Sequence, residues 1–209
     1  LYTTVDAVIV GQFTGKTGLA AIDSVYTLFK FPINFMNGLA AGATIIISGY
    51  FGAKEKEGLH CAVRTALLVA FFLGIICSIG GVLLSPWLLD VMSVPEEVQG
   101  GSLIYCRIYF AGLWAMILYN MMAGILRAFG DSKRPLYVLI ICAVANVVGD
   151  FLLVGVLRTG VGGAAAATVF SQAVSVAVLW VMLTKADFLE GTLAVSKMKI
   201  CKEHMGMMI

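Results

Sequence analysis

The chain has 209 residues, of which 60% are hydrophobic and 12% are charged, and its formal net charge is +2. Soluble globular domains carry about 25% charged residues, so this composition excludes an ordinary soluble protein and indicates an integral membrane protein. The basic residues are spread over several short polar segments. We therefore expect the lipid bilayer as a partner and no binding to nucleic acid.

Six apolar segments, taken in chain order, predict an all-α, polytopic bundle of six transmembrane helices. The first segment, residues 1–10, has about half the length that a span needs. Because the chain opens inside this segment without a methionine, we expect a truncated first helix and a longer protein. The remaining segments are residues 24–50, 65–84, 102–126, 136–157 and 164–183.

Turn-forming residues separate these segments. Residues 11–23 hold three glycines and predict a connecting loop, and residues 86–101, which begin with a proline, predict another. Gly130 and Pro135 predict the end of the fourth helix and the start of the fifth. Residues 185–209 are mixed and basic, and we interpret them as a linker.

Lysine and arginine are distributed unevenly between the two sides of these segments. The loops after the second and fourth segments and residues 185–209 together hold ten, whereas the opposite loops hold two, Lys16 and Arg158. The positive-inside rule therefore predicts that residues 51–64, 127–135 and 185–209 lie in the cytoplasm. We expect a multi-pass protein of the cytoplasmic membrane in this orientation.

Polar residues inside the apolar segments are the candidate functional groups. Asn146 and Asp150 are four residues apart, hence on one face of the fifth helix. An ionised carboxylate near the middle of a span costs on the order of 2.5 to 3.5 kcal/mol, so Asp150 needs a partner or a function. Asp6 and Asp150 each lie shortly before an outer loop. We therefore expect both in the outer half of the membrane, where they can meet.

Two chemical interpretations of this group remain open. Two carboxylates, an amide and the hydroxyl of Thr168 supply hard oxygen ligands that suit Na⁺. Alternatively, burial and a like-charged neighbour both favour the protonated form of a carboxyl group, so Asp6 and Asp150 could share and release a proton.

Other polar residues have a plainer interpretation. We interpret Asn34, Asn37 and Asn120 as side chains that form hydrogen bonds between helices, and each such bond is worth roughly 0.6 kcal/mol. Lys30 can extend its ammonium toward the outer headgroups, which we favour over a contact with substrate.

The sequence contains no convincing enzyme or nucleotide-binding motif. Gly160, Gly162 and Ala165 match the dinucleotide pattern G-x-G-x-x-A, but that pattern needs a preceding strand, and here the flanks are membrane helices. We interpret these small residues as a surface for close helix packing. The sequence holds no Cys/His metal motif and no nucleophile motif, so we do not expect an enzyme.

Several segments, taken together and in order, carry a family resemblance. They are Val5-Asp6 followed by Gly11, SGYFGAK at 48–54, LRAFGDSKRP at 126–135, Asn146 with Asp150, and GVGGAAAAT at 160–168. With these gaps, the chain resembles the multidrug and toxic compound extrusion (MATE) transporters along nearly its whole length. It departs from the family's usual pattern at Ala7 and Gly49, and neither change removes a proposed ligand.

The resemblance implies two six-helix lobes and export of organic cations and drugs in exchange for H⁺ or Na⁺. Residues 1–184 then correspond to the amino-terminal lobe, and residues 185–209 to a cytoplasmic linker that leads to a second lobe. We expect no cofactor, and the coupling ion is either H⁺ or Na⁺. The family's cation site in this lobe corresponds to Asp6, Asn146, Asp150 and Thr168, and Asn120 corresponds to a supporting polar residue.

Three alternatives to a cation-coupled exporter remain. A flippase for lipid-linked precursors needs cationic residues in its central cavity, and Lys30 and Arg107 are the candidates. A membrane-embedded transferase lacks a recognisable arrangement of catalytic groups. A non-transporting membrane scaffold predicts that Asp6 and Asp150 lie far apart or face the headgroups.

Overall fold

The computed structural model describes the backbone of residues 2–185 and the side chains of residues 8–185. All regular structure in this part is helical, as predicted. Residues 186–209 of the predicted linker lie outside the described residues. The helices are α1 (Tyr2–Gly52), α2 (Lys56–Val91), α3 (Glu96–Ala128), α4 (Lys133–Asp150) and α5 (Val161–Thr184), and a π-helical segment (Phe151–Val156) directly follows α4.

Length and composition identify the membrane-crossing helices. Four stretches are long and apolar enough to cross a bilayer: Val8–Gly52, Lys56–Val91, Lys133–Val156 and Val161–Thr184. The two halves of α3 meet at 43° and make a fifth if they count as one span. With the short start of α1, these helices correspond to the six predicted segments, so the all-α membrane bundle is confirmed.

The predicted loop at residues 11–23 is wrong, because only Gly15 leaves the helical conformation, with φ 73° and ψ −164°. A Cβ placed on Gly11 would lie 3.8 Å from Leu19 Cδ2. Eight residues of straight helix rise about 12 Å, so the chain must turn back at Gly15. We call residues 2–14 the first arm of α1 and residues 16–52 its second arm.

Packing explains why the residues after Gly15 are helical. Ala21 and Ile22 are buried, and Ser102 Oγ of α3 donates a hydrogen bond of 2.9 Å to Ala21 O. The loop that we predicted at residues 86–101 is also too long. Pro86 lies inside α2, and α3 already begins at Glu96, because both helices are longer than the roughly 30 Å hydrocarbon core.

The central helix is α3, which packs against α1, α2 and α5. Its aromatic side chains meet Phe29 of α1, whose ring centroid lies 4.1 Å from that of Tyr109 and 5.2 Å from that of Phe110. Tyr105 and Phe29 are almost completely buried. An aromatic contact between α1 and α3 is therefore part of the core of the bundle.

Small residues bring the helix backbones close together, as in other membrane bundles. At Gly112, where α3 bends, an added Cβ would collide with Val169 of α5. A Cβ on Gly162 would lie 3.1 Å from Ile104 of α3. Gly162 of the rejected dinucleotide motif thus allows α5 to approach α3, as we predicted, whereas nothing lies within 4 Å of a Cβ at Gly160.

Candidate functional site

The polar pair on α4 belongs to a buried stripe along one side of that helix. The stripe recurs every four residues, and each member is at most 1% exposed: Val138, Cys142, Asn146, Asp150 and Val154. Other sides of α4 are exposed and apolar, with Ile141, Val144 and Val148 more than half exposed. The spacing that placed Asn146 and Asp150 on one face therefore places them inside the bundle.

Asn146 is bonded directly to α5. Its Nδ2 donates a hydrogen bond of 3.2 Å to Thr168 Oγ1, and both residues are buried. The two helices approach closely here, because a Cβ on Gly149 would lie 3.1 Å from Ala167 Cβ. The structure thus brings together two of the four predicted cation ligands. Their role as ligands stays a prediction.

Asp150 is completely buried, one turn after Asn146 on the same side of the chain. It is the last residue of α4, immediately before the π-helical segment Phe151–Val156. We predicted an uninterrupted α-helix over 136–157, and the wider turn carries no obvious signal in the sequence. Single π-helical turns are frequent at functional sites, so the break occurs where a site was expected.

The side chain of Asp6 lies outside the described residues, and its meeting with Asp150 stays a prediction. The neighbouring part of the first arm is described. Phe13 packs edge-on against Phe151 with ring centroids 6.1 Å apart, and a Cβ on Gly155 would lie 3.1 Å from Phe13 Cζ. The end of the first arm therefore lies against the π-helical segment that follows Asp150.

Asn120, the predicted supporting residue, is half-buried on α3. Its Nδ2 donates a hydrogen bond of 2.9 Å to Met116 O, one turn earlier in the same helix. This bond satisfies the amide locally, and it ties Asn120 to its own helix. A role in the polar network of α4 and α5 stays a prediction.

Sequence reasoning missed Gln172, which is 7% exposed and lies one turn after Thr168 on α5. Within the described part of the chain, Gln172 Oε1 and Asn146 Oδ1 are buried acceptors without a donor. A buried acceptor is costly unless water or a cation satisfies it. The spacing of four from Thr168 was a signal that could have identified Gln172.

Two serines extend the buried polar side of α5 beyond Thr168. Ser171 Oγ donates to Thr168 O, and Ser175 Oγ donates to Ser171 O, each at 2.9 Å. These bonds are local to the helix. Among the described residues, no group of three or more His, Cys, Asp or Glu side chains could hold a metal ion. A cation near Asp150 would therefore depend on amide and hydroxyl oxygens as well as carboxylates.

Comparison with known proteins decides the family. A family model described as MatE matches residues 1–152 of the chain. The chain belongs to the MATE family. It is 36% identical over 180 residues to the probable multidrug resistance protein YoeA of Bacillus subtilis (strain 168), a match that covers 84% of this chain and 39% of YoeA.

Solved MATE structures have the same fold. An inward-facing multidrug resistance MATE family transporter of the MOP superfamily superposes with a TM-score of 0.90 at 24% identity, over 99% of this chain and 47% of that one. A MOP superfamily transporter from Pyrococcus furiosus matches with a TM-score of 0.88 at 26% identity, over 100% of this chain and 46% of that one. Its description states that reverse polarity of its binding pocket suggests a different function.

These matches also bear on length and location. The chain spans less than half the length of each of the three proteins. Its family and its apolar helices identify it as a multi-pass membrane protein.

Proposed function

We propose that this lobe is part of a cation-coupled antiporter that exports small organic molecules across the cytoplasmic membrane in exchange for H⁺ or Na⁺. One observation carries the proposal. The Asn146–Thr168 hydrogen bond lies one helical turn from a completely buried Asp150, at the junction between α4 and the π-helical segment. A buried acid in a membrane helix is by default a functional group.

The proposed site works by neutralising Asp150. When H⁺ or Na⁺ binds from outside, the buried carboxylate loses its net charge and the cost of burying it falls. Thr168 Oγ1 and Asn146 Oδ1 supply further oxygens, and the bond between the two residues holds them in place. The two cations remain alternatives.

Asp6 is the proposed second carboxylate. It precedes Phe13 by seven residues, two turns of a regular helix, and the backbone from Asp6 to Phe13 is helical. Phe13 contacts the segment after Asp150. The arm that carries Asp6 therefore runs toward the same part of the bundle, which favours a shared site.

Exchange requires that cation and substrate bind mutually exclusively. The bound cation stabilises one conformation of the lobe, and substrate stabilises the other, so each lowers the affinity for its competitor. We propose that a second lobe completes the substrate path. Residues 185–209 then form the cytoplasmic linker, and residues 51–64 and 127–135 face the cytoplasm.

The relatives bear on the substrate class of the proposed exporter. The family resemblance implies organic cations and drugs, and YoeA carries the name of a probable multidrug resistance protein. The Pyrococcus furiosus transporter is described as having a binding pocket of reverse polarity. Transporters of this fold therefore need not share one preference for substrate charge.

The positions of the two intramembrane cations argue against a lipid-precursor flippase. Lys30 is exposed on the second arm of α1, which packs on the side of α3 that carries Tyr105 and Tyr109. Arg107 is exposed on the other side of α3, beside Ile104. The two residues do not share one cavity surface within the described part of the lobe. A scaffold is also disfavoured, because Asp150 is buried and does not face headgroups.

The substitution Asp150→Asn in the transporter, expressed at the full length of its gene, tests the proposal. We expect it to abolish efflux driven by an imposed proton or sodium gradient while the protein still inserts into the membrane. Asp90→Asn is the matched control, because Asp90 is an exposed residue bonded to Gln99. Efflux by Asp150→Asn at the wild-type rate would show that the proposal is wrong.

A further inference from the structure

The second arm of α1 carries a row of exposed polar residues, which we call the polar stripe: Asp23, Thr27, Lys30, Asn34 and Asn37. Spacings of three and four residues place all five on one side of the helix. The stripe extends over fifteen residues, a rise of about 21 Å between the first and the last. This length is most of the roughly 30 Å thickness of a bilayer's hydrocarbon core.

Contacts between α1 and α3 fix the position of the stripe along the long axis of the bundle, which we call its level. Ala21 of α1 receives the hydrogen bond from Ser102, beside Gly101 of α3. A Cβ on Gly124 of α3 would lie 2.8 Å from Thr44 Oγ1 of α1. The two helices run in the same direction between these contacts. Residues 31 and 32 of α1 are therefore level with the bend of α3 at Gly112.

This level is the middle of the membrane-crossing part. Gly112 contacts Val169, which lies near the centre of α5 (Val161–Thr184). Lys30 lies one to two residues from this level, about 2 Å along the helix. The headgroups lie about 15 Å from the midplane, beyond the reach of the side chain. The expectation that Lys30 extends to the outer headgroups does not fit this depth.

The ammonium of Lys30 has an aromatic neighbour. Nζ lies 4.7 Å from the ring centroid of Tyr26, a cation–π contact that orients the side chain. Within the described residues, Lys30 forms no salt bridge. Asp23, the other charged member of the stripe, lies two turns away, about 10 Å along the helix. The charge of Lys30 is therefore available to a group from outside the described part of the chain.

Lipid is an unsuitable neighbour for the stripe. The exposed sides of α4 consist of apolar residues such as Val144 and Val148, as a lipid-facing surface requires. A charged side chain in hydrocarbon is costly, and such residues face a bundle interior or a water-filled cavity. We predicted that Asn34 and Asn37 bond helices together. Both are exposed, so this prediction is wrong within the described lobe.

We propose that the polar stripe lines the path of the substrate and that Lys30 binds an anionic group on it, so that the transported molecules are amphiphilic organic anions. This inference rests on the proposed export function and departs from the organic cations that the family resemblance implies. The ammonium of Lys30 pairs with a carboxylate or sulfonate. Asn34 donates hydrogen bonds to the same group, and the exposed Phe31 and Phe35 beside the stripe pack against the apolar body.

Two probes with the same aromatic body and opposite charge test this inference. The probes are 2-naphthalenesulfonate and (2-naphthylmethyl)trimethylammonium, and their equilibrium binding is measured on the purified transporter at the full length of its gene. We expect the wild type to bind the sulfonate at least about tenfold more tightly, because the ammonium of Lys30 attracts the sulfonate and repels the quaternary ammonium. Lys30→Met should lower this ratio about tenfold.

Three further variants separate charge from folding. Lys30→Arg keeps the positive charge and should keep the preference for sulfonate. Lys30→Gln keeps a polar side chain if methionine at this position impairs folding, and it should lose the preference. Arg107→Met removes an exposed cation from the other side of α3 and should leave the ratio unchanged.

Two results overturn the inference. One is equal or tighter binding of the ammonium probe by the wild type. The other is a Lys30→Met variant that weakens both probes equally or neither, the result expected if Lys30 pairs with a carboxylate of a second lobe. Gradient-driven efflux that still depends on Asp150 would then show that coupled export survives. Conversely, a Lys30-dependent preference without gradient-driven efflux would contradict only the coupling.

Discussion

Polar groups occur in two regions of this membrane bundle, and they are buried in one region and exposed in the other. Between α4 and α5, Asn146, Asp150 and Thr168 are buried, and Asn146 and Thr168 bond to each other. On the second arm of α1, Lys30 and Asn34 are exposed at a similar depth. The first region is enclosed by the lobe, which suits a small ion. The second is open, which suits a larger molecule that must enter and leave.

Cysteine labelling should separate the two kinds of surface in an all-or-none way. In a variant whose native cysteines do not react, Asn34→Cys should react with a membrane-impermeant maleimide, because the polar stripe faces water in our proposal. Val144→Cys, on the exposed apolar side of α4, should not react, because lipid excludes the reagent. Mass spectrometry of the intact protein measures the labelled fraction. Protection of Asn34→Cys in the absence of substrate would contradict a water-filled path.

Gly112→Val should damage the buried region and spare the stripe. A side chain at this position collides with Val169, the residue after Thr168, so α5 must move away from α3. Overpacking of this kind costs about 1 to 3 kcal/mol, which thermal or denaturant unfolding in detergent can measure. Gly100→Val is the control, because nothing lies within 4 Å of a Cβ at Gly100 on the same helix. If both variants lose the same free energy of unfolding, the contact at Gly112 has no special role.

The smallest expected effect comes from comparing substitutions of two asparagines. Asn146→Leu removes the hydrogen bond to Thr168, which is worth roughly 0.6 kcal/mol in a membrane bundle. We expect Na⁺ or acidification to raise the unfolding midpoint of the wild type, because a bound ligand stabilises the folded state, and Asn146→Leu should remove this rise. Asn37→Leu, in the exposed stripe, should retain that rise. The comparison fails if both variants respond to the cation like the wild type.

Spacing in the sequence was enough to predict the buried side of α4. Asn146 and Asp150 are four residues apart within an apolar run, and residues at that spacing share a helix face. The pairing of Asn146 with Thr168 required the family resemblance. No property of a lone threonine points to a partner on the preceding helix, and only the close approach of Gly149 to Ala167 explains the contact.

Other features could not be predicted. Three glycines in residues 11–23 suggested a loop, yet only Gly15 has a positive φ, and buried residues such as Ala21 keep the rest helical. The π-helical segment Phe151–Val156 has an ordinary apolar sequence. Contacts with α3 keep the residues after Gly15 helical, and the π-helical segment lies against Phe13 of the first arm.

The sequence by itself determined that this chain is a helical membrane protein. Apolar runs of membrane length can satisfy their backbone hydrogen bonds in lipid only within a helix or a closed barrel, and charge and spacing marked the polar positions. The tertiary structure alone decided which polar residues are enclosed and which are exposed. That outcome depends on how α1, α4 and α5 are rotated against α3. Close contacts at Gly112, Gly124 and Gly149 set this rotation, and they join residues that are distant in the sequence.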